Sequence, residues 1–83
     1  MIYWTAAWCG PCKMIGPEVE RISNEHEQLA VAKIDIDELQ AAAQTAQIAS
    51  VPTFSFFNHG YFLGSFAGAD KAKLEAYVTS ILP

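Results

Sequence analysis

A change of hydrophobic pattern near the N-terminus constrains the fold more than any other feature of the chain. Residues 1–5 are aromatic and β-branched without polar alternation, which predicts a buried strand. From Pro11 to about Gln28, apolar residues recur every three or four positions, which predicts an amphipathic helix. Proline suits the first turn of a helix, because its missing N–H would have no partner there in any case. The pattern therefore predicts a strand that leads through a short turn, residues 6–10, into a helix.

The only two cysteines of the chain, Cys9 and Cys12, lie at this junction. A disulfide across two intervening residues closes so small a loop that it would constrain the unfolded chain little. A structural zinc site needs four ligands, and no second pair of ligands has the spacing of such sites. The first thiol would lie at a helix N-terminus, where the helix dipole favours the thiolate. The spacing therefore predicts a redox-active pair, with no metal ion and no cofactor other than its own disulfide.

The remaining pattern predicts three more strands and two more helices. The helical connection makes the second strand parallel to the first, whereas a short turn makes the last two strands a hairpin. An aspartate precedes each of the two later helices, so Asp37 and Asp70 are predicted N-caps. The predicted order is β-α-β-α-β-β-α in a single domain, residues 1–83. These later segments are the strand 30–36, the helix 38–46, the strands 54–57 and 61–66, and the helix 71–82.

Composition argues against several classes of function. The chain carries a net charge of −4, so nothing neutralises phosphate in quantity and nucleic acid is not the expected partner. No apolar run reaches the roughly 18 residues of a membrane-spanning helix. The N-terminus has no basic segment followed by an apolar one, so no signal peptide is visible. These observations predict a cytoplasmic protein that does not associate with a membrane.

The residues around the cysteines resemble the thioredoxin family. The segment Trp-Cys-Gly-Pro-Cys-Lys, residues 8–13, is similar to that family's active-site motif without a mismatch. The resemblance implies a thioredoxin-like α/β fold with a four-stranded mixed sheet and helices on both faces. It continues, in the family's order and spacing, at Pro17, residues 32–37, residues 51–53, residues 57–60 and the pair Gly68-Ala69.

The family resemblance also implies an activity, a thiol–disulfide oxidoreductase that reduces protein disulfides. Cys9 would attack a substrate disulfide, and Cys12 would then resolve the mixed disulfide. The implied partners are disulfide-containing proteins and thioredoxin reductase or a similar electron donor. The family has a cis bond before the proline that corresponds to Pro52. The implied substrate-binding residues around the thiols are Trp8, Gly10, Pro11, Val51, Pro52, Gly68 and Ala69.

Two departures from the family pattern affect the expected rate of disulfide exchange and the expected binding partners of the protein. The family has an acid six residues before the first cysteine, whereas this chain has Tyr3, a poor base at neutral pH. Lys33, the usual neighbour of that acid, is present, so Tyr3 and Lys33 are expected to modulate the thiols. We expect resolution by Cys12 to be slower or to use water. The family's leading strand and helix have no counterpart before Met1, which predicts a sheet edge at residues 30–36. It also predicts an exposed apolar surface suited to a partner or to self-association, for example as a homodimer through the uncovered sheet edge or face.

Two other functions fit the same residues. The missing strand and Tyr3 favour a non-enzymatic module that keeps the fold and uses its exposed face for binding. A disulfide isomerase or oxidant is chemically close to a reductase. The Gly-Pro pair between the cysteines and the absence of a visible signal peptide argue against it. The reduction potential separates these activities, since thioredoxin-like values lie near roughly −270 mV and those of oxidants are much higher.

Overall fold

A computed structural model describes residues 1–82 and gives this part of the chain four strands and three helices. The order β-α-β-α-β-β-α is the one predicted from the sequence. No helix in the described residues is long and apolar enough to cross a membrane. In chain order, the elements are β1 (Ile2–Thr5), α1 (Gly10–Glu25), β2 (Ala32–Asp35), α2 (Gln40–Thr45), β3 (Thr53–Asn58), β4 (Tyr61–Ala67) and α3 (Lys71–Ile81).

The four strands form one mixed sheet in the order β2-β1-β3-β4. Strand β1 runs parallel to β2, with Tyr3 opposite Lys33, and antiparallel to β3, with Tyr3 opposite Phe54. Strands β3 and β4 form the predicted antiparallel hairpin. The thioredoxin-like fold class is therefore confirmed, and β2 lies at the sheet edge as expected.

The hydrophobic core lies between helices α1 and α3 and one face of the sheet, here called the helix-covered face. Alternate residues of a strand point to one face, and on this face Phe54 and Phe56 are fully buried. The apolar positions that predicted α1 pack against these aromatic rings, because they recur along one side of the helix. The core cluster includes Tyr3, Ile15, Val19, Ile22, Phe54, Phe56, Phe66, Leu74 and Val78. This packing fixes α1, and with it both cysteines, against the sheet.

The opposite face of the sheet is only partly covered. Residues 46–50, which begin at the C-terminal end of α2, line a groove of about 530 Å³ together with Trp4, Ser55 and Phe57. The indole N–H of Trp4 donates a hydrogen bond to the hydroxyl of Ser55 across this face, at 3.0 Å. Phe57 is 42% exposed. The sheet thus presents an accessible surface, here called the groove face.

The prediction that Asp37 caps a helix beginning at Glu38 is wrong. Helix α2 begins at Gln40, and its N-cap is Leu39, which makes no side-chain capping bond. The cause lies in the preceding turn, where the carboxylate of Asp35 accepts the N–H of Asp37 at 2.8 Å and its carbonyl accepts the N–H of Leu39. This turn occupies the residues that would otherwise form the first helical turn.

The other boundaries differ by a few residues. Strand β2 is Ala32–Asp35, shorter than the predicted 30–36, and α1 ends at Glu25, three residues before Gln28. Asp70 is confirmed as the N-cap of α3, since its carboxylate accepts the N–H of Lys73 at 3.0 Å.

A cluster of charged side chains joins α1 to α3. Arg21 pairs with Glu18 and Glu25 of its own helix and with Glu75 of α3. Lys71 also lies 3.7 Å from the Glu18 carboxylate. Glu18 is buried, and the hydrogen bond from Arg21 lowers its pKa to about 2. The cluster therefore holds the two helices together most strongly while Glu18 is ionised.

Candidate functional site: a dithiol at the start of helix α1

The two cysteines lie on the first turn of α1. Cys9 is the N-cap, with φ −84° and ψ 109°, and its Sγ accepts the backbone N–H of Cys12 at 3.1 Å. The two sulfurs are joined as a disulfide, and the Cα atoms lie 5.2 Å apart. Both residues are buried. A sulfur in the capping position meets unpaired N–H groups and the positive end of the helix dipole, both of which stabilise a thiolate.

A second wall of the site comes from the segment before β3. The peptide bond between Val51 and Pro52 is cis, and the Val51 carbonyl oxygen lies 3.6 Å from Cys9 Sγ. The carbonyl of Pro52 accepts the N–H of Gly68 at 2.9 Å, which brings the end of β4 to the same wall. Gly68 has φ +108°, a backbone conformation that favours glycine. The structure thus brings Val51, Pro52 and Gly68 together beside the thiols, with the exposed Ala69 next along the chain.

Trp8 lies at the rim of the site and is 68% exposed. Gly10 and Pro11, which follow the first cysteine, are exposed too. The indole N–H of Trp8 donates a hydrogen bond of 2.8 Å to the carboxylate of Asp37. Asp37 was not predicted as a residue of the site, because its position before a predicted helix indicated an N-cap. The available signal was a pair of acidic residues, Asp35 and Asp37, at the C-terminal end of β2.

Tyr3 and Lys33 line a cleft next to Cys12. Tyr3 is 3% exposed, and its hydroxyl donates a hydrogen bond of 2.8 Å to the carbonyl oxygen of Cys12. Lys33 is its register partner on β2 and is exposed. Both line an open cleft of about 770 Å³ that Cys12 lines as well. Tyr3, Lys33 and Cys12 thus share the lining of one cleft, in which Lys33 is exposed and Tyr3 is buried.

Metal binding has no support in the part of the chain that the structure describes. Within residues 1–82, no group of three or more His, Cys, Asp or Glu side chains could hold a metal ion. The two cysteines of the site can exchange two electrons with another disulfide or dithiol.

The comparisons with known proteins agree with this geometry. The family model described as Thioredoxin matches residues 1–80. Thioredoxin of Sus scrofa is 37% identical over 82 residues, which cover 99% of this chain and 78% of that protein. The TPR repeat-containing thioredoxin TDX of Oryza sativa is 42% identical over 78 residues, which cover 94% of this chain and 25% of that protein.

Solved structures give the same result. The thioredoxin of Fasciola hepatica superposes with a TM-score of 0.93 at 35% identity, over 95% of this chain and 76% of that one. The germline-specific thioredoxin Deadhead of Drosophila melanogaster superposes with a TM-score of 0.95 at 33% identity, over 98% of this chain and 78% of that one. With this similarity in sequence and fold, and with paired cysteines at disulfide distance on α1, the chain belongs to the thioredoxin family of thiol–disulfide oxidoreductases.

Proposed function

We propose that this protein reduces disulfide bonds in other proteins, with Cys9 as the nucleophile and Cys12 as the resolving thiol. The observation that carries the proposal is the position of Cys9 Sγ as the N-cap acceptor of α1, 3.1 Å from the Cys12 amide nitrogen. Donation from this N–H and the helix dipole both favour the thiolate, which is the form that attacks a disulfide.

The reaction proceeds in two exchanges. The Cys9 thiolate attacks one sulfur of the substrate, so a mixed disulfide forms and the first substrate thiolate leaves. The Cys12 thiolate then attacks Cys9 Sγ, which forms the Cys9–Cys12 disulfide and releases the second substrate thiolate. Two electrons pass to the substrate, and an external dithiol must return them. We propose thioredoxin reductase or a similar donor for that role.

Substrate docking uses the wall beside the thiols. The Val51 carbonyl lies 3.6 Å from Cys9 Sγ, so an extended substrate segment that pairs with the backbone there would bring its disulfide to the nucleophile. We place the rest of the docking surface on the exposed residues at the rim and on the end of β4. The complete proposed set is Trp8, Gly10, Pro11, Val51, Pro52, Gly68 and Ala69.

Insulin reduction, driven by dithiothreitol and followed by turbidity, tests the activity. The wild type should accelerate precipitation, Cys9→Ser should be inactive, and Cys12→Ser should accumulate a mixed disulfide that mass spectrometry detects. If the wild type and Cys9→Ser were equally inactive, the reductase proposal would fail. A redox titration of the pair separates a reductase, near roughly −270 mV, from an isomerase or oxidant at a much higher potential.

The groove face favours a second candidate, binding through a homodimer. No Asp, Glu, Lys or Arg occurs between Glu38 and Asp70, and the groove lies within the surface that this segment forms with Trp4. Phe62, which lines the groove, is 61% exposed. Two copies could join there without opposing their negative charges. Sedimentation equilibrium over a range of concentrations tests this, since a monomer throughout with full reductase activity would exclude it.

A further inference from the structure

A buried tyrosine hydroxyl holds the backbone of the resolving cysteine. The ring of Tyr3 stacks on Phe54 of the neighbouring strand, with centroids 5.2 Å apart and planes inclined by 9°. Close packing of this kind keeps a buried side chain in one rotamer. The hydroxyl is thereby directed at α1, where it donates a hydrogen bond of 2.8 Å to the Cys12 carbonyl oxygen. This bond joins β1 to the first turn of the helix that carries both thiols.

The backbone of Cys12 is therefore held by two different partners. Its N–H donates to Cys9 Sγ at 3.1 Å, and its carbonyl accepts from Tyr3. The first contact involves a sulfur whose bonding changes, because Cys9 Sγ is bonded to Cys12 Sγ here and would be bonded to a substrate sulfur in a mixed disulfide. The second contact involves neither sulfur. It can persist while Cys9 is covalently occupied, when Cys12 must still be oriented toward it.

We propose that Tyr3 is a positioning residue for the resolving step. Its hydroxyl holds the first turn of α1 so that Cys12 Sγ stays within reach of Cys9. The inference rests on the proposed reductase function. In this step the Cys12–Cys9 S–S bond forms and the Cys9–substrate S–S bond breaks, while the leaving substrate sulfur takes the electron pair. The proton lost by Cys12 passes to water in the adjoining cleft, and Tyr3 exchanges neither a proton nor an electron.

The size of the effect follows from the intramolecular nature of the step. Such reactions owe their rate to the orientation of the reacting atoms, and a misplacement of about 1 Å can cost on the order of 100-fold. Tyr3→Phe keeps the ring on Phe54 and removes only the hydroxyl. The helix and the core packing still restrain Cys12 in this variant. The resolving step should therefore slow by roughly tenfold and not by the roughly 100-fold that a 1 Å misplacement can cause.

Stopped-flow absorbance with stoichiometric dithiobis(nitrobenzoate) tests this, because attack by each cysteine releases one coloured thiolate. The first release reports Cys9 and the second reports resolution by Cys12, which Cys12→Ser should abolish. Tyr3→Phe should slow only the second release. Tyr77→Phe is the matched control, because it also removes a tyrosine hydroxyl. The hydroxyl of Tyr77 lies next to Gly64 on β4 and does not hold α1. It should leave both releases at the wild-type rate.

A second control separates positioning from a general loss of stability. Val78 is buried in α3, so Val78→Ala should destabilise the fold, as urea unfolding would measure, while it leaves the second release unchanged. A second release at the wild-type rate in Tyr3→Phe would overturn the proposal, as would equal slowing by Val78→Ala. A wild type that releases no thiolate would instead refute the reductase function, so the two failures are distinguishable.

Discussion

The hydrogen bond between Trp8 and Asp37 gives a direct test of how the rim of the site is held. Asp37→Ala removes the acceptor that lies 2.8 Å from the indole nitrogen. A hydrogen bond to a charged group contributes about 1.5–3 kcal/mol when buried, but Trp8 is 68% exposed, so competition from water reduces this to about 0.5–1 kcal/mol. If that free energy serves substrate docking, KM for a protein disulfide rises about two- to fivefold, since 1.4 kcal/mol corresponds to a factor of ten.

Steady-state insulin reduction measures this change, with kcat expected to stay near the wild-type value. Glu38→Ala is the matched control, because it removes an exposed carboxylate one residue further along the chain. The rate with dithiobis(nitrobenzoate), a small disulfide that needs little docking surface, should be the same in both variants. An equal rise of KM in the two variants, or a fall in the rate with the small disulfide, would refute the assignment of Trp8 to docking.

Two further predictions concern stability. A Cβ at Gly64, where φ is +153°, would collide with the Tyr77 hydroxyl, and Tyr77 stacks on Phe56 with centroids 4.3 Å apart. Gly64→Ala should therefore lower the free energy of unfolding by about 2–4 kcal/mol, because the backbone is strained and aromatic contacts are displaced. In a Tyr77→Phe background the same substitution should cost about 1–2 kcal/mol less, since the colliding hydroxyl is gone. Urea unfolding measures both values, and equal costs in the two backgrounds would contradict the collision. Since Arg21 lowers the pKa of Glu18 from 4.5 to about 2, Glu18 stabilises the fold above pH 4.5, and this contribution is lost as the pH falls from about 5 to about 2. Glu18→Gln should flatten the pH dependence of urea unfolding in that range, and an unchanged slope would show that the cluster contributes nothing.

The sequence was sufficient for the fold because its local signals agree with one another. Continuous apolar residues marked β1, three- and four-residue spacing marked α1, and the Asn58–Gly60 turn marked the hairpin. Asp70 was recognisable as an N-cap because its partner, the N–H of Lys73, lies only three residues away. The thiol pair was equally local, since Cys9 and Cys12 share one helical turn.

Contacts between distant parts of the chain could not be predicted from local sequence patterns. Asp37 and Trp8 are 29 residues apart, so no pattern around either residue indicated their hydrogen bond. The hydroxyl of Tyr3 reaches Cys12, nine residues away, from a ring that stacks on Phe54 of another strand. Helix α2 begins late because Asp35 satisfies two backbone N–H groups of the preceding turn, a competition that capping propensity alone does not reveal.

The use of a cysteine sulfur as the N-cap of α1 has a consequence for the motions of the protein. Any reaction at Cys9 changes the acceptor that the first turn of the helix depends on. Occupation of the sulfur and fraying of the helix end are then thermodynamically linked, so whatever weakens one must alter the other. Amide hydrogen exchange at residues 11–13 should accordingly differ among the reduced, disulfide and mixed-disulfide forms. The atom that caps the helix is thus also an atom whose covalent bonding changes with the redox state.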